Sequence, residues 1–244
     1  MKILALTAIL FLASAISAQD LITAVESKNI KAAEQLLQSG ASANEVNDEN
    51  YFPLWNATWN GDVKMVQLLI RHGADVNQRF KSEAHEMGPL DVACQEGHLQ
   101  IVKALAEAGA DINARGFVGH SALRIAARNG RTDIVKYLLS RNAEVDSKGD
   151  DQATPLEHAA GKGHLAIVKL LVEKGANVNH QDKELDFPLG EACRGGHLAV
   201  VKYLLSKGAD PSLKNEEDFD ALELARLAGQ PEVAQLIKAN MTKQ

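Results

Sequence analysis

A leucine returns every 33 residues along most of this chain, and that period restricts the fold more than any other property. Leu54, Leu90, Leu123, Leu156, Leu189 and Leu222 are separated by 36, 33, 33, 33 and 33 residues, and Leu21 lies another 33 before Leu54. Self-similarity at a fixed spacing of this size marks a chain built from one repeated supersecondary unit, too small to bury its apolar face alone. Register holds on both sides of the leucine. Phe52-Pro53-Leu54, Gly88-Pro89-Leu90, Thr154-Pro155-Leu156 and Phe187-Pro188-Leu189 share a proline just before it. Gly61, Gly97, Gly130, Gly163, Gly196 and Gly229 stand seven places after it. A second series, Gly40, Gly73, Gly109, Asn142, Gly175 and Gly208, closes the next segment.

Proline suits the first turn of a helix, where its missing N–H is not needed. Thr154, Ser121 and Asp220 can cap the open N–H groups of their helices, and Gly88 is tolerated there. Phe52 and Phe187 are poor caps, and capping chemistry gives no account of them, while Phe52, like Trp55, is open to the reading that it fills space between units. The glycines supply the left-handed residue that ends a helix, a role asparagine can share. Each unit therefore reads as a short helix, a glycine turn, a longer helix and a glycine stop. The longer helix carries apolar pairs at helical spacing: Ile101-Val102 with Leu105, Ile134-Val135 with Leu138-Leu139, Ile167-Val168 with Leu170-Leu171, and Val200-Val201 with Leu204-Leu205. Stacked on its neighbours, this stripe forms a continuous core.

Thr154-Pro155-Leu156, Ala159-Ala160, Gly163-His164-Leu165, Ile167-Val168, Leu170-Leu171 and Gly175-Ala176-Asn177-Val178-Asn179 resemble the ankyrin repeat, and the pattern runs over roughly residues 20 to 240. The resemblance, to a small exported bacterial ankyrin-repeat protein, implies an all-α solenoid of helix-turn-helix units with β-hairpin-like connections. It divides the chain into a signal peptide (1–18), an N-terminal capping unit (19–50), five central repeats (51–217) and a C-terminal capping unit with its tail (218–244). Asp20 is placed to cap a first helix starting at Leu21, and Lys238, Asn240 and Lys243 give the last unit a polar end. One departure stands out. Where the family usually has histidine after the repeat leucine, this chain has Trp55, Asp91, Arg124, Glu157, Gly190 and Glu223. The inter-repeat bonds of that histidine must be missing or replaced, which predicts a stack less stable than a consensus array.

Export is read from the first eighteen residues: Met1-Lys2, an apolar run from Ile3 to Leu12, and the small-residue segment Ala13 to Ala18, with cleavage after Ala18. The apolar run is shorter than the roughly 20 residues a spanning helix needs, which predicts no membrane association once the signal is removed. The expected location is periplasmic or secreted. The formal charge of −6 argues against nucleic acid as a partner. Cys94 and Cys193 lie at matching points of two different units, three periods apart. That separation is too large for a disulfide, so both are expected as small core residues.

No catalytic, metal or cofactor site is expected. His98, His164 and His197 follow the turn glycine in separate units, too far apart to share a zinc ion. Gly161-Lys162-Gly163-His164 lacks the spacer, the Ser/Thr and the strand of a phosphate loop. Asn56-Ala57-Thr58 fits a glycosylation triplet but falls within a helix. Asp150-Asp151 and Glu216-Glu217 are expected at solvated tips.

The resemblance also implies that the hairpin tips and short inner helices form a concave face that binds protein, with the free chain monomeric. Tyr51, Trp55, Trp59, Phe80, His85, Met87, Phe117, His120 and Arg128 are the candidate contact residues, because aromatic side chains crowd the first half and Trp, Tyr and Arg concentrate binding energy. The three extra residues between Leu54 and Leu90 fall in the connection from Gln78 to Met87 and lengthen one tip. Two functional readings result. The first is a non-catalytic inhibitor or immunity-type binder of an exported enzyme, such as a cell-wall hydrolase; the second is a secreted effector or envelope scaffold binding host or structural components.

Overall fold

The computed structural model describes residues 18–81 and 86–242; the expected signal segment up to residue 17, the candidate residue His85 and the polar Lys243 lie outside them. The chain divides into two compact units after Ala110. Unit one holds α1 (Ala18–Glu26), α2 (Ile30–Gln38), α3 (Pro53–Trp59), α4 (Val63–Arg71), the short strands β1 (Phe80–Lys81) and β2 (Glu86–Met87), α5 (Pro89–Glu96) and α6 (Leu99–Glu107). Unit two opens with a 3-10 turn at Phe117–Gly119. It continues with α7 (Ala122–Arg128), α8 (Thr132–Ser140), α9 (Pro155–Gly161), α10 (Leu165–Glu173), α11 (Pro188–Arg194), α12 (Leu198–Ser206), α13 (Ala221–Leu227) and α14 (Pro231–Met241). Odd-numbered helices are the first of each pair and even-numbered helices the second. Within each unit, first helices stack on first helices and second on second, making two helical layers.

Leu54, Leu90, Leu123, Leu156 and Leu189 are buried between the layers, together with the second-helix pairs Ile101-Val102, Ile134-Val135, Ile167-Val168 and Val200-Val201. The two phenylalanines that capping rules left without a role are explained by this packing. Phe52 and Phe187 occupy N-cap positions on extended backbone and make no side-chain cap bond. Their rings are instead wholly buried. A cap bond contributes about 1 kcal/mol, whereas burying a phenylalanine contributes about 1.5–3 kcal/mol, so packing outweighs capping.

The stops behave as the residue pattern predicts: Asn142 takes φ 62° where other units place a left-handed glycine. Asp20 does not. Among the described residues Asp20 lies inside α1 (Ala18–Glu26) rather than at a cap before Leu21.

The histidine slot is refilled by other chemistry. The carboxylates of Asp91, Glu157 and Glu223 accept the backbone N–H of Gly88, Thr154 and Asp220 at 3.0, 2.6 and 3.1 Å, closing the first turn of each helix. Arg124 reaches into the following repeat. Its Nε donates to His158 Nε2 at 2.7 Å, and its two terminal nitrogens hold both carboxylate oxygens of Asp151. Asp151, expected to be merely solvated, is thus an ion-pair partner, because the substitution at 124 places a guanidinium beneath its tip. A second tie recurs within both units. The Asn44 amide donates to the Gly73 carbonyl at 2.9 Å, and the Asn179 amide to the Gly208 carbonyl at 3.1 Å, joining one helix stop to the next.

Candidate functional site

The lengthened connection of unit one is a β-hairpin in which Phe80 pairs with Met87 and Lys81 with Glu86. Arg79 anchors its base, donating to Asp91 at 2.8 Å. The preceding tip is equally fixed: the N–H of Asn47 donates to the carbonyl of Tyr51 at 2.9 Å, and the Tyr51 N–H returns to Asn47 Oδ1 at 2.9 Å. Helix α3 adds Trp55 and Trp59 one turn apart on one side.

These supports bring four candidate residues into one aromatic ladder. The rings of Tyr51 and Phe80 stack with centroids 5.0 Å apart, and those of Trp55 and Trp59 at 5.2 Å. Trp55 lies tilted against Tyr51 and Phe80, at 5.1 Å from each. Tyr51, Trp55, Phe80 and Met87 are half-buried, while Trp59 keeps 46% of its surface exposed at the open end of the ladder. Offset and tilted ring contacts at these distances are stabilising, so the ladder is held in place before any partner arrives.

The remaining candidates sit in unit two. Phe117 opens the 3-10 turn, His120 follows it half-buried, and Arg128 is exposed at the end of α7. Burial holds the His120 imidazole below its ordinary range, with the neighbouring Arg124 adding to the effect. Burial likewise drives His158 down to about 4, reinforced by Arg124 and Arg128. This matches the contact in which neutral His158 accepts from the Arg124 guanidinium. The histidines at the helix turns are structural: His164 Nε2 donates to the Arg128 carbonyl at 3.2 Å and His197 Nε2 to the Gly161 carbonyl at 3.0 Å. A Cβ on the left-handed Gly163 would meet the His197 ring at 2.5 Å, so a glycine is required there. Among the described residues no group of three His, Cys, Asp or Glu side chains is placed to hold a metal ion. None of their helices is long and apolar enough to cross a membrane.

Unit two also holds a groove, whereas the residue pattern favours the aromatic first half. It has a volume of about 520 Å³ and is lined by Glu184, Asp186, Arg194, Glu216, Glu217, Phe219, Leu224 and Leu227, among others. Leu227 was legible as an exposed position, five places after Leu222, where the other units show Trp59, Gln95 and Arg128. What could not be read was that Leu224 and Leu227, on one face of α13, meet the acidic tips.

The ankyrin repeats (3 copies) family model matches residues 21–116 and 117–182, and the single ankyrin repeat model matches residues 186–216. The chain is 42% identical over 95 residues to ankyrin repeat and SOCS box protein 6 of Mus musculus, covering 38% of this chain and 22% of that protein. It is 31% identical over 86 residues to ankyrin repeat and SOCS box protein 3 of Homo sapiens, covering 35% and 17%. Similarity to the 2-5A-dependent ribonuclease of Mus musculus is 43% over 65 residues, or 26% of this chain and 9% of that one. In each case the chain spans under a quarter of the relative's length. The matched residues take in most of the chain and its stacked helix pairs, and the chain belongs to the ankyrin repeat family.

Proposed function

We propose that this chain acts outside the cytoplasm as a non-catalytic binder of another protein, gripping it with the Tyr51–Trp55–Trp59–Phe80 ladder. In its sharpest form it is an inhibitor or immunity-type partner of an exported enzyme such as a cell-wall hydrolase. Ankyrin repeats are protein-interaction modules, and the observation that carries the choice of face is the half-exposed Trp59 at the end of a pre-stacked ladder. Binding energy concentrates in tryptophan and tyrosine anchors, and anchors already fixed by neighbouring rings lose little rotamer freedom on binding. Export is supported by the charged start, apolar run and small-residue segment of residues 1–18.

Fractionation of cells producing the tagged chain, with N-terminal sequencing, tests the location; the expected product starts at Gln19 outside the cytoplasm. Cross-linked recovery of partners by the normal chain, Trp59→Ala and Phe80→Ala then tests the face. The two variants are expected to lose the main recovered protein while keeping their helical circular dichroism. Undiminished recovery by both folded variants would sink the ladder as the contact surface.

A further inference from the structure

The groove of unit two combines features that select one kind of occupant. Four of its lining residues, Glu184, Asp186, Glu216 and Glu217, are acidic, and only Arg194 is basic. Arg194 is already neutralised: its terminal nitrogens hold both oxygens of Asp186 at 3.3 and 3.0 Å and Glu191 Oε1 at 2.6 Å. Lys214, the cation on the same tip as Glu216 and Glu217, is taken by Asp218 at 2.8 Å. Glu184, Glu216 and Glu217 therefore project negative charge over the groove with no ion-pair partner among the described residues. Burial raises the neighbouring Glu191 carboxyl above its ordinary range, Arg194 opposing and Asp186 and Asp182 adding to the rise.

The floor is apolar. Leu224, Leu227 and Ala228 lie at i, i+3 and i+4, so they share one face, and Phe219 adds a half-buried ring beside them. Leu227 is 67% exposed, more than any other large apolar side chain among the described residues. The rim is held in place by the chain itself. The Glu216 N–H donates to the Glu184 carbonyl at 2.9 Å, joining the two tips, and the Phe219 N–H donates to Asn215 Oδ1 at 3.0 Å. A volume of about 520 Å³ lies within the roughly 300–1,000 Å³ range of ligand pockets.

We propose that this groove is a second docking surface, distinct from the aromatic ladder, and that it takes a basic peptide segment in which an apolar side chain stands beside lysine or arginine. The apolar residue covers Leu227 and Phe219, and its basic neighbours meet Glu184, Glu216 and Glu217. An acidic or uncharged apolar segment would desolvate those carboxylates without pairing them, a penalty that opposes binding.

The test is fluorescence anisotropy of the full chain with a labelled peptide of alternating lysine and leucine, a lysine-serine peptide of equal charge and a glutamate-leucine peptide. Saturable binding of the lysine-leucine peptide is expected, weaker binding of the lysine-serine peptide, and none of the acidic one. Leu227→Ser and the double change Glu216→Gln with Glu217→Gln should each weaken lysine-leucine binding by about tenfold, the equivalent of one leucine burial or of two exposed charge contacts. All three positions are exposed, so the fold is retained. Asp48→Asn with Glu49→Gln removes the same charge from a tip of unit one and should change nothing. The proposal is overturned if Leu227→Ser binds like the normal chain, or if the unit-one change weakens binding as much as the groove change.

Discussion

At the scale of single residues, the informative positions are those where a charge is enclosed. Glu157 is buried, its Oε2 accepts the Thr154 N–H, and its Oε1 has no hydrogen-bond partner. Burial pushes its carboxyl up to about 8 from an ordinary 4.5, with Asp182 adding to the rise and the Thr154 bond opposing it. His158 moves the other way, from 6.5 down to about 4. Between those ordinary and folded values the unfolded chain binds fewer protons at Glu157 and more at His158 than the folded chain. From pH 4.5 to 6.5 the two effects oppose; from 6.5 to 8 only the Glu157 effect remains, and stability falls as pH rises. Glu157→Gln keeps a carbonyl oxygen for the Thr154 N–H and cannot ionise. In urea unfolding monitored across pH, the variant is expected to gain on the normal chain steadily up to about 8 and then no further. A constant difference between the two chains would mean that Glu157 is already ionised in the fold. The residue pattern marked position 157 as a departure from the family's histidine, but not its buried carboxyl, since burial depends on residues of other repeats.

At the scale of the helix pair, local signals and packing usually agree, and Phe187 is where they part. The Pro188-Leu189 start and the Gly196 turn were legible because proline, cap and left-handed glycine act within a few residues of chain. The ring of Phe187 was not, because cap preference describes the first turn of one helix while this side chain answers to the core. Phe187→Thr, which installs a good cap, is expected to destabilise the chain by about 2–4 kcal/mol: the cavity costs about 3–5 kcal/mol and the new cap returns about 1. A urea midpoint for the variant at or above that of the normal chain would show that capping, not packing, governs this helix start. The same division explains the candidate site. Trp55 and Trp59 could be paired from their four-residue spacing, whereas Phe80 joins Tyr51 and Trp55 only because the hairpin folds back onto α3.

At the scale of the molecule, stability comes from stacking rather than from covalent ties. Cys94 and Cys193 are free and buried. Burial raises the Cys94 thiol well above its ordinary range and pushes Cys193 up to about 12, with Asp91 and Asp220 adding respectively. Both thiols should react with a disulfide reagent more than about 100-fold slower in the folded than in the unfolded chain, and the melting temperature should be the same with and without reductant. Fast labelling of the folded chain would place at least one thiol outside the core. Sequence by itself determined the 33-residue repeat, the helix-turn-helix unit, the left-handed stops and the apolar stripes, because each is encoded by residues within a turn or two of one another. Only the tertiary structure decided which side chains meet: the ring ladder of unit one, the hold of Arg124 on residues 27 and 34 places further on, and the acidic groove around Leu227. Those contacts join separate repeats, and a repeat pattern states where each unit begins without stating how far its longest side chains reach into the next.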